Sequence, residues 1–215
     1  MKRKNPYLFK ARHVTSAPQL IETILDAHLS SQEETIFGGF LESLAIHVCA
    51  LVFQGQKAPA EGIDLMFERD SIRYLVSIKS GPNWGNSRQI AKMREDFKKA
   101  RRILGTNASS QNVVAVNGCC YGQESNEDKG DYLKKCGQSF WSLIAADDDF
   151  YTKIIEPLGH NAKSRNEEFD AEYGKVITRF SSEFARDFCA RDGAIEWKKL
   201  LRFNSGKIPA KNAAP

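Results

Sequence analysis

The chain has 215 residues, of which 41% are hydrophobic and 27% are charged, and its formal net charge is +4. This length is enough to bury a large core, and the composition excludes an intrinsically disordered chain. A charge of +4 is compatible with a nucleic-acid partner but does not indicate one by itself, because the arrangement of charges matters more than their sum.

The cysteines and histidines favour neither a disulfide framework nor a zinc site. The five cysteines are an odd number without repeated spacing, and the four histidines are scattered. We therefore expect reduced thiols and a cytoplasmic location. The basic start, Met1 to Lys4, leads into Asn5-Pro6 and not into an apolar region. We expect no secretory peptide and no stretch of membrane-spanning length.

Two helices are predicted in the first 55 residues. Residues 20–25 have the pattern of a short amphipathic helix, and Ser31 followed by Glu34 is a capping box that opens the next helix. Apolar residues then recur at helical spacing from Ile36 to Val52, which predicts a long amphipathic helix packed against a sheet.

Residues 61–89 have the pattern of a β-hairpin followed by a polar loop. Apolar and polar side chains alternate over residues 63–67 and 74–79, and Arg69-Asp70-Ser71 has the composition of a turn. Polar residues interrupt both runs, with Asp64 in the first and Ser77 and Lys79 in the second.

The register of this hairpin decides whether Asp64 and Lys79 meet. If residue 68 pairs with residue 73, Asp64 lies across from Ser77, and Lys79 is one same-face step away, roughly 7 Å along the strand. This pairing corresponds to a four-residue turn. A two-residue turn would place Lys79 about twice as far from Asp64 unless the strand bends, and the sequence does not fix the register. Placing a carboxylate and an ammonium on one face of a hairpin costs free energy unless the charges are solvated, ion-paired or used in catalysis. A structural ion pair and a catalytic pair both remain open.

The segment after Lys79 favours contact with a polyanion. Residues 80–87 are rich in glycine and side-chain amides, include a tryptophan that looks exposed, and precede a basic helix. Asn86-Ser87 can cap that helix, which Gly105 ends. Residues 113–116 are a continuous apolar run typical of a central strand, so strand, helix and strand predict a crossover unit in a mixed sheet. From Leu133 onward the pattern is helical and rich in aromatic residues.

The residues just described resemble the PD-(D/E)xK nuclease superfamily, whose pattern is an aspartate on one strand and an acidic residue, any residue and lysine on the next. Here Gly62-Ile-Asp64 and Ser77-Ile-Lys79 stand for these parts. Three longer segments resemble one group of type II restriction endonucleases, namely Asn5–Phe9, Ser77–Ser87 and Val114–Gly122. The chain departs from the superfamily pattern in two ways. No proline precedes Asp64, and Ser77 replaces the acidic residue, so a second metal carboxylate must come from elsewhere.

The resemblance implies an α/β, restriction-endonuclease-like fold, with a mixed central sheet flanked by helices and a helical C-terminal half. We expect one nuclease domain over residues 1–205, with its catalytic core at about 31–120 and a helical part at about 131–205. Residues 206–215 are predicted to be a disordered tail.

The function implied by the resemblance is that of a bacterial type II restriction endonuclease. Such an enzyme would use one or two Mg²⁺ ions per active site to cut duplex DNA at a specific sequence, as a homodimer whose two-fold symmetry matches a palindromic site. A repair or junction-resolving nuclease of the same fold is an alternative. A catalytically inactive DNA-binding relative, in which Ser77 marks a dead site, is another.

The resemblance also assigns roles to individual residues. Asp64 would bind metal, and Lys79 would hold the attacking water or stabilise the scissile phosphate, with Ser77 positioning either of them. Glu42 is the first candidate for the missing metal carboxylate, because in the resembled fold the helix before the hairpin often contributes a glutamate. Glu95 is the second candidate, although helical geometry places it nearly opposite the buried stripe of its helix. The candidates for DNA contact are Asn83, Trp84, Asn86, Ser87, Arg88 and Gln89, and Gln89 could instead hold Lys79.

Overall fold

A computed structural model describes residues 4–105, 112–159 and 162–207, and the chain divides into two compact units. One unit comprises residues 1–32 and 161–215, and the other comprises residues 33–160. The predicted nuclease domain over residues 1–205 stays a prediction. Most of the predicted tail, from residue 208 onward, lies outside the described residues.

Helices and strands alternate only in the middle of the chain. The helices are α1 (Pro6–Ala11), α2 (Ala17–Phe53), α3 (Ser87–Gly105), α4 (Gln138–Ala145), α5 (Phe150–Lys153), α6 (Ala162–Phe188) and α7 (Trp197–Ser205), with a 3-10 turn at Glu156–Gly159. The strands are β1 (Leu65–Arg69), β2 (Ile72–Lys79), β3 (Asn112–Cys119) and β4 (Leu133–Cys136).

The four strands form one mixed sheet in the order β1-β2-β3-β4. The β1–β2 pair is antiparallel, while β2–β3 and β3–β4 are parallel. Parallel neighbours cannot be joined by a tight turn, and α3 supplies the crossover between β2 and β3. The predicted mixed sheet and crossover unit are therefore confirmed.

Each face of the sheet has its own hydrophobic core. On one face, α2 and α4 pack against the strands, and the largest fully buried side chains there are Trp141, Phe140 and Ile144. On the other face, α3 contributes Met93 and Phe97. Because both faces are covered, β2 is buried on both sides, and its polar residues stand out against an apolar setting.

The other unit is helical in its described residues. Its core consists of side chains from α1, the first part of α2, α6 and α7, including Phe9, Leu20, Phe184 and Leu200. This agrees with the expected fold class, an α/β core with a helical C-terminal half.

The capping box predicted at Ser31 does not begin a helix. Helix α2 runs without a break from Ala17 to Phe53, so the two predicted helices are one. The segment around Ser31 contains no glycine or proline to end a helix, and an interior serine costs only a fraction of the roughly 3 kcal/mol that an interior proline would cost. The capping pattern was therefore outweighed by helix propagation from both sides.

The expectation of no membrane-length apolar stretch is wrong for α2. This helix contains an 18-residue window with a mean hydropathy of 1.9, which is long and apolar enough to cross a membrane by length and composition. One side of its second half instead packs into the core of the sheet through Leu41, Ala45, Val48 and Cys49. Only 22% of that window is buried, and Ile36, Phe37, Phe40, Leu51 and Val52 of the same helix are exposed.

The helical prediction from Leu133 onward is wrong for the first four residues. Leu133–Cys136 is the edge strand β4, and α4 begins only at Gln138. The pairing of β4 with β3 explains the difference, since a segment of four residues is too short for its own periodicity to distinguish strand from helix. Tertiary pairing determined the structure here.

Candidate functional site

The β1–β2 hairpin adopts the register in which Glu68 pairs with Arg73. Pairing continues to Arg69 and Ile72, so the turn itself is only Asp70-Ser71. Both turn residues have positive φ angles, 54° and 61°, as a type I′ turn requires. Asp64 lies just before β1, and its N–H donates to the Val76 carbonyl at 2.9 Å. This register places Asp64 beside Ser77 and Lys79, as expected for the first of the two alternatives. The turn nevertheless has two residues and not four, because Arg69 and Ile72 also pair, so the expectation that a two-residue turn would separate Lys79 from Asp64 is wrong.

Three groups surround one oxygen of the Asp64 carboxylate. The Ile78 N–H donates to Oδ2 at 2.7 Å, the Ser77 hydroxyl lies 3.5 Å from it, and the Lys79 ammonium lies 3.7 Å from it. All three contacts use Oδ2. In the part of the chain that the structure describes, Oδ1 is thereby left for a further ligand. The carboxylate is 23% exposed, so it is held in place but remains accessible.

The Lys79 ammonium is held from three directions. Nζ donates to the Ile78 carbonyl at 2.8 Å, faces Asp64 at 3.7 Å, and lies 5.3 Å from the centre of the Trp84 ring. The backbone of Ile78 thus contacts both charged partners, because its N–H binds Asp64 and its carbonyl accepts from Lys79. Sequence reasoning cannot assign such a role to an isoleucine, since only its main chain takes part.

Ser77 does not have the access to substrate that its predicted role requires. The residue is 2% exposed, and its hydroxyl faces Asp64. In this position it supports the carboxylate and does not reach a water or a phosphate. The burial of Ser77 and its contact with Asp64 differ from the expected direct positioning of water or phosphate.

Glu42, on α2, lies within electrostatic range of the Asp64–Lys79 pair. Burial raises the pKa of Glu42, and the negative charge of Asp64 raises it further, while Lys79 and the exposed Lys57 lower it. The approach of α2 to the end of β2 depends on Gly38, one turn before Glu42. A Cβ atom at this glycine would lie 2.5 Å from the Ser80 hydroxyl oxygen.

Glu95, on α3, is not brought to the same place. Its carboxylate pairs with Lys99 at 3.1 Å and is 65% exposed, and Lys99 lowers its pKa. None of the charges that shift its pKa belongs to Asp64 or Lys79. Between the two candidate carboxylates, the geometry favours Glu42.

The donor atoms gathered here suit a hard divalent cation. They are carboxylate oxygens of Asp64 and Glu42 and the main-chain carbonyl of Ile78, and Mg²⁺ prefers such oxygen ligands and retains several waters. Within residues 4–105, 112–159 and 162–207, no cluster of three or more His, Cys, Asp or Glu side chains could hold a metal alone. A two-carboxylate seat completed by substrate phosphate is therefore the fitting arrangement.

Trp84 is not the exposed aromatic that its sequence setting suggests. It is partly buried against the core on the α3 face of the sheet, and its indole N–H donates to the Asn117 side-chain oxygen at 3.1 Å. The remaining DNA-contact candidates are exposed, namely Asn83, Asn86, Ser87, Arg88 and Gln89.

Asn86 and Gln89 cap α3 reciprocally. The Asn86 side-chain oxygen accepts from the N–H groups of Arg88 and Gln89 at 3.1 Å, and the Gln89 side-chain oxygen accepts from the Asn86 N–H at 2.9 Å. The predicted cap at Asn86 is confirmed. Because this capping box occupies the Gln89 oxygen, only its amide N–H₂ group is left for a phosphate.

Asn117 is a residue of this region that sequence reasoning did not single out. It lies on β3 directly beside Ser77 in the sheet register, it is 1% exposed, and its amide donates to the Ser77 carbonyl at 3.3 Å. The available signal was its position, since it is an amide that directly follows the apolar run Val113–Val116 in a predicted central strand.

Comparison with known proteins identifies the family of the chain. No match was found among curated proteins. The family model described as type II restriction endonuclease EcoO109I matches residues 1–166, which is more than half of the chain and includes the hairpin, Glu42, α3 and β3. The chain therefore belongs to the type II restriction endonuclease EcoO109I family.

Proposed function

We propose that this protein cuts duplex DNA at a specific sequence, using Mg²⁺, as a homodimer. The observation that carries the proposal is the meeting of Asp64 and Lys79 at 3.7 Å, with Glu42 near enough for the charge of Asp64 to raise its pKa. A glutamate with a raised pKa near an Asp–Lys pair at the end of a central strand is a frequent mark of a catalytic site.

The metal-binding part of the proposal rests on Asp64 and Glu42. When bound, Mg²⁺ lowers the pKa of a water and neutralises charge on the phosphate oxygens. Asp64 Oδ1 and the Glu42 carboxylate would hold the ion, with the Ile78 carbonyl as a further oxygen donor. The Ile78 N–H and the Ser77 hydroxyl fix the Asp64 carboxylate in orientation, so that its free oxygen keeps a constant direction.

Lys79 carries the part of the reaction that needs a positive charge. Its ammonium has three donors, of which the Ile78 carbonyl accepts one. The others can orient the attacking water or stabilise charge that builds on the scissile phosphate, as preorganised cations do in phosphoryl transfer.

Recognition of DNA is proposed for the exposed residues of the loop and the first turn of α3. Arg88 is suited to phosphate, and the Asn83 amide can pair with base edges, adenine above all. The Asn86 oxygen is used in capping α3, so Asn86 has only its amide N–H₂ group to offer to DNA. Most contacts of this kind fix the position of the protein on DNA and do not read its sequence, so we assign Ser87 and Gln89 to the backbone.

The test is digestion of a mapped plasmid by purified protein with Mg²⁺. Discrete, reproducible bands are expected, and Lys79→Ala should abolish them while DNA binding is largely retained. Lys99→Ala is the matched control, because it removes a lysine of α3 that pairs only with exposed Glu95. Full cutting by Lys79→Ala would overturn the site assignment.

The same assay separates the alternative functions. Cutting confined to branched substrates would indicate a junction-resolving nuclease. Tight DNA binding without cleavage in either Mg²⁺ or Mn²⁺ would indicate an inactive relative. Sedimentation of the protein with a palindromic duplex measures the mass of the complex. A homodimer predicts two protein chains per duplex.

A further inference from the structure

We infer that Asn117 and Trp84 are positioning residues for Lys79. Asn117 holds Trp84 through a hydrogen bond, and Trp84 contacts the Lys79 ammonium through a cation–π interaction. This inference rests on the proposed function, because it assigns a purpose to the position of the Lys79 ammonium. It gives Trp84 a role other than contact with DNA.

The first link fixes the plane of the indole ring. Trp84 lies in the loop after β2, where a side chain would ordinarily rotate freely, but its N–H donates to Asn117 Oδ1 at 3.1 Å. Asn117 is 1% exposed and is itself anchored, because its amide donates to the Ser77 carbonyl at 3.3 Å. A buried amide that satisfies both a donor and an acceptor has one orientation, and this orientation is transmitted to the ring.

The second link limits where the ammonium can lie. Nζ of Lys79 is 5.3 Å from the centre of the Trp84 ring, within the range of a cation–π interaction. The opposite boundary is set by the Ile78 carbonyl at 2.8 Å and Asp64 at 3.7 Å. A lysine side chain has many rotamers, and without the ring the ammonium would keep only its contacts with Ile78 and Asp64.

The register of the sheet places Asn117 close to Lys79. Ser77 and Asn117 are partners in the parallel register of β2 and β3, so the anchoring asparagine lies beside the strand that carries Lys79. A displacement of about 1 Å in a reacting group can lower a rate about 10²-fold, so fixing the ammonium is of kinetic value.

The first test measures the contact without any catalysis. The ε-methylene protons of Lys79 lie near the face of an indole, so the ring current should shift their NMR signal upfield in protein labelled with ¹³C-lysine. The upfield shift should disappear in Trp84→Leu, persist in reduced form in Trp84→Phe, and shrink in Asn117→Ala. An unshifted Lys79 signal in the wild-type protein, or no change in Trp84→Leu, would overturn the inference whether or not the protein cuts DNA.

The second test measures single-turnover cleavage with Mg²⁺ and, separately, duplex binding without Mg²⁺. We expect Asn117→Ala and Trp84→Leu to slow cleavage about 10²-fold, with less than about threefold change in binding, and Trp84→Phe to recover most of the rate. Val116→Ala is the matched control for lost stability, because Val116 is a fully buried neighbour of Asn117 that faces the other core. Weaker DNA binding with an unchanged cleavage rate constant would overturn the inference and make Trp84 a DNA contact.

The two tests separate this inference from the proposed function. If the wild-type protein shows the shifted Lys79 signal but cuts no DNA, the proposed function fails and the contact stands. If the wild-type protein cuts DNA and both variants cut as fast as Val116→Ala, the proposed function stands and the positioning role fails.

Discussion

Two groups of carboxylates and lysines in the sheet-containing unit differ in how completely they are paired. Beyond β3, Glu124 is bound by Lys134 at 3.0 Å, by Lys129 at 3.3 Å and by the Asn126 N–H at 3.1 Å. These contacts, with Lys134 foremost, lower the pKa of Glu124 to about 2. At the end of β2, by contrast, burial and the charge of Asp64 raise the pKa of Glu42.

The difference supports the proposal that Glu124 serves stability and that Asp64 and Glu42 bind a ligand. Glu124 has two cations and one backbone donor, so its charge is fully compensated. Asp64 and Glu42 bring two negative charges to one place, and the nearest ammonium is 3.7 Å from Asp64. Lys79 and Lys57 lower the pKa of Glu42, but burial and Asp64 outweigh them, and a bound divalent cation would favour the charged form of both carboxylates.

The largest effect is expected at Asp64. Asp64→Asn keeps an oxygen that can accept from the Ile78 N–H but removes the charge needed for metal, so we expect cleavage to slow by about 10²–10⁴-fold. Single-turnover digestion of a duplex oligonucleotide measures this change, and circular dichroism checks that the fold is retained. A rate within about tenfold of the wild-type value would break the assignment of Asp64.

Glu42→Gln should separate activity from stability. Removing a group that only hydrogen-bonds to a metal ligand lowers activity by up to about 100-fold. Glu42 is proposed as a ligand itself, so we expect cleavage at limiting Mg²⁺ to fall by about 100-fold. Because the pKa of Glu42 is raised in the folded protein, its charged form destabilises the fold above that pKa, and glutamine removes this cost. Thermal unfolding at pH 7 without metal should therefore give an equal or higher Tm. A clearly lower Tm would show Glu42 to be a structural ion-pair partner.

The raised pKa of Glu42 also affects the acid side of the pH profile. At a given acidic pH, a larger fraction of Glu42 is protonated than of an ordinary glutamate, so cleavage should decline at a higher pH than an unperturbed carboxylate would allow. Raising the Mg²⁺ concentration should move this decline to lower pH, because metal and proton compete. A profile insensitive to Mg²⁺ would place Glu42 outside the metal site.

Glu124→Gln should show the opposite behaviour. A folded-state pKa of about 2 lies below the ordinary value near 4.5, so Glu124 stabilises the fold above the ordinary value. This contribution is lost as the pH falls from about 4.5 to about 2. We expect the variant to have a lower Tm at pH 7, a difference that vanishes near pH 2, and unchanged cleavage. Lost cleavage in a folded Glu124→Gln protein would remove the contrast between the two groups.

The smallest effect is expected at Glu95. This carboxylate is exposed and paired with Lys99 within one turn of α3, and solvent screens an exposed pair of this kind, so the pair contributes little to stability. Glu95→Gln should change cleavage by less than about twofold. A loss comparable to that of Asp64→Asn would exchange the roles of the two candidate glutamates.

The hairpin could be predicted because its alternation and its functional polar residues lie in one short segment. The alternation of apolar and polar residues predicted the strands, and Asp64, Ser77 and Lys79 were recognisable as polar residues that interrupt it. The register could not be read from the sequence, since it depends on two positive φ angles at Asp70 and Ser71, neither of which is glycine. The continuity of α2 and the strand at Leu133–Cys136 also depended on tertiary contacts.

The environment of side chains was harder to predict than their positions. Trp84 was placed correctly in the loop after β2, but its burial depends on Asn117, which lies 33 residues further along the chain. The contributions of Ile78 come from its main chain, which no residue pattern reveals. The choice between Glu42 and Glu95 depended on which helix approaches the end of β2, and that requires the packing of α2 against the sheet.

The loop proposed to meet DNA is clamped at two glycines. A Cβ atom at Gly81 would lie 2.4 Å from the Tyr121 ring, and one at Gly122, where φ is +90°, would lie 2.7 Å from Pro82. A side chain at either point would require Tyr121 or Pro82 to move, so the two glycines allow the loop to lie close to residues 121–122. An engineer who wishes to retarget this enzyme should replace the outward-facing side chains of residues 83–89 and leave the course of the loop untouched.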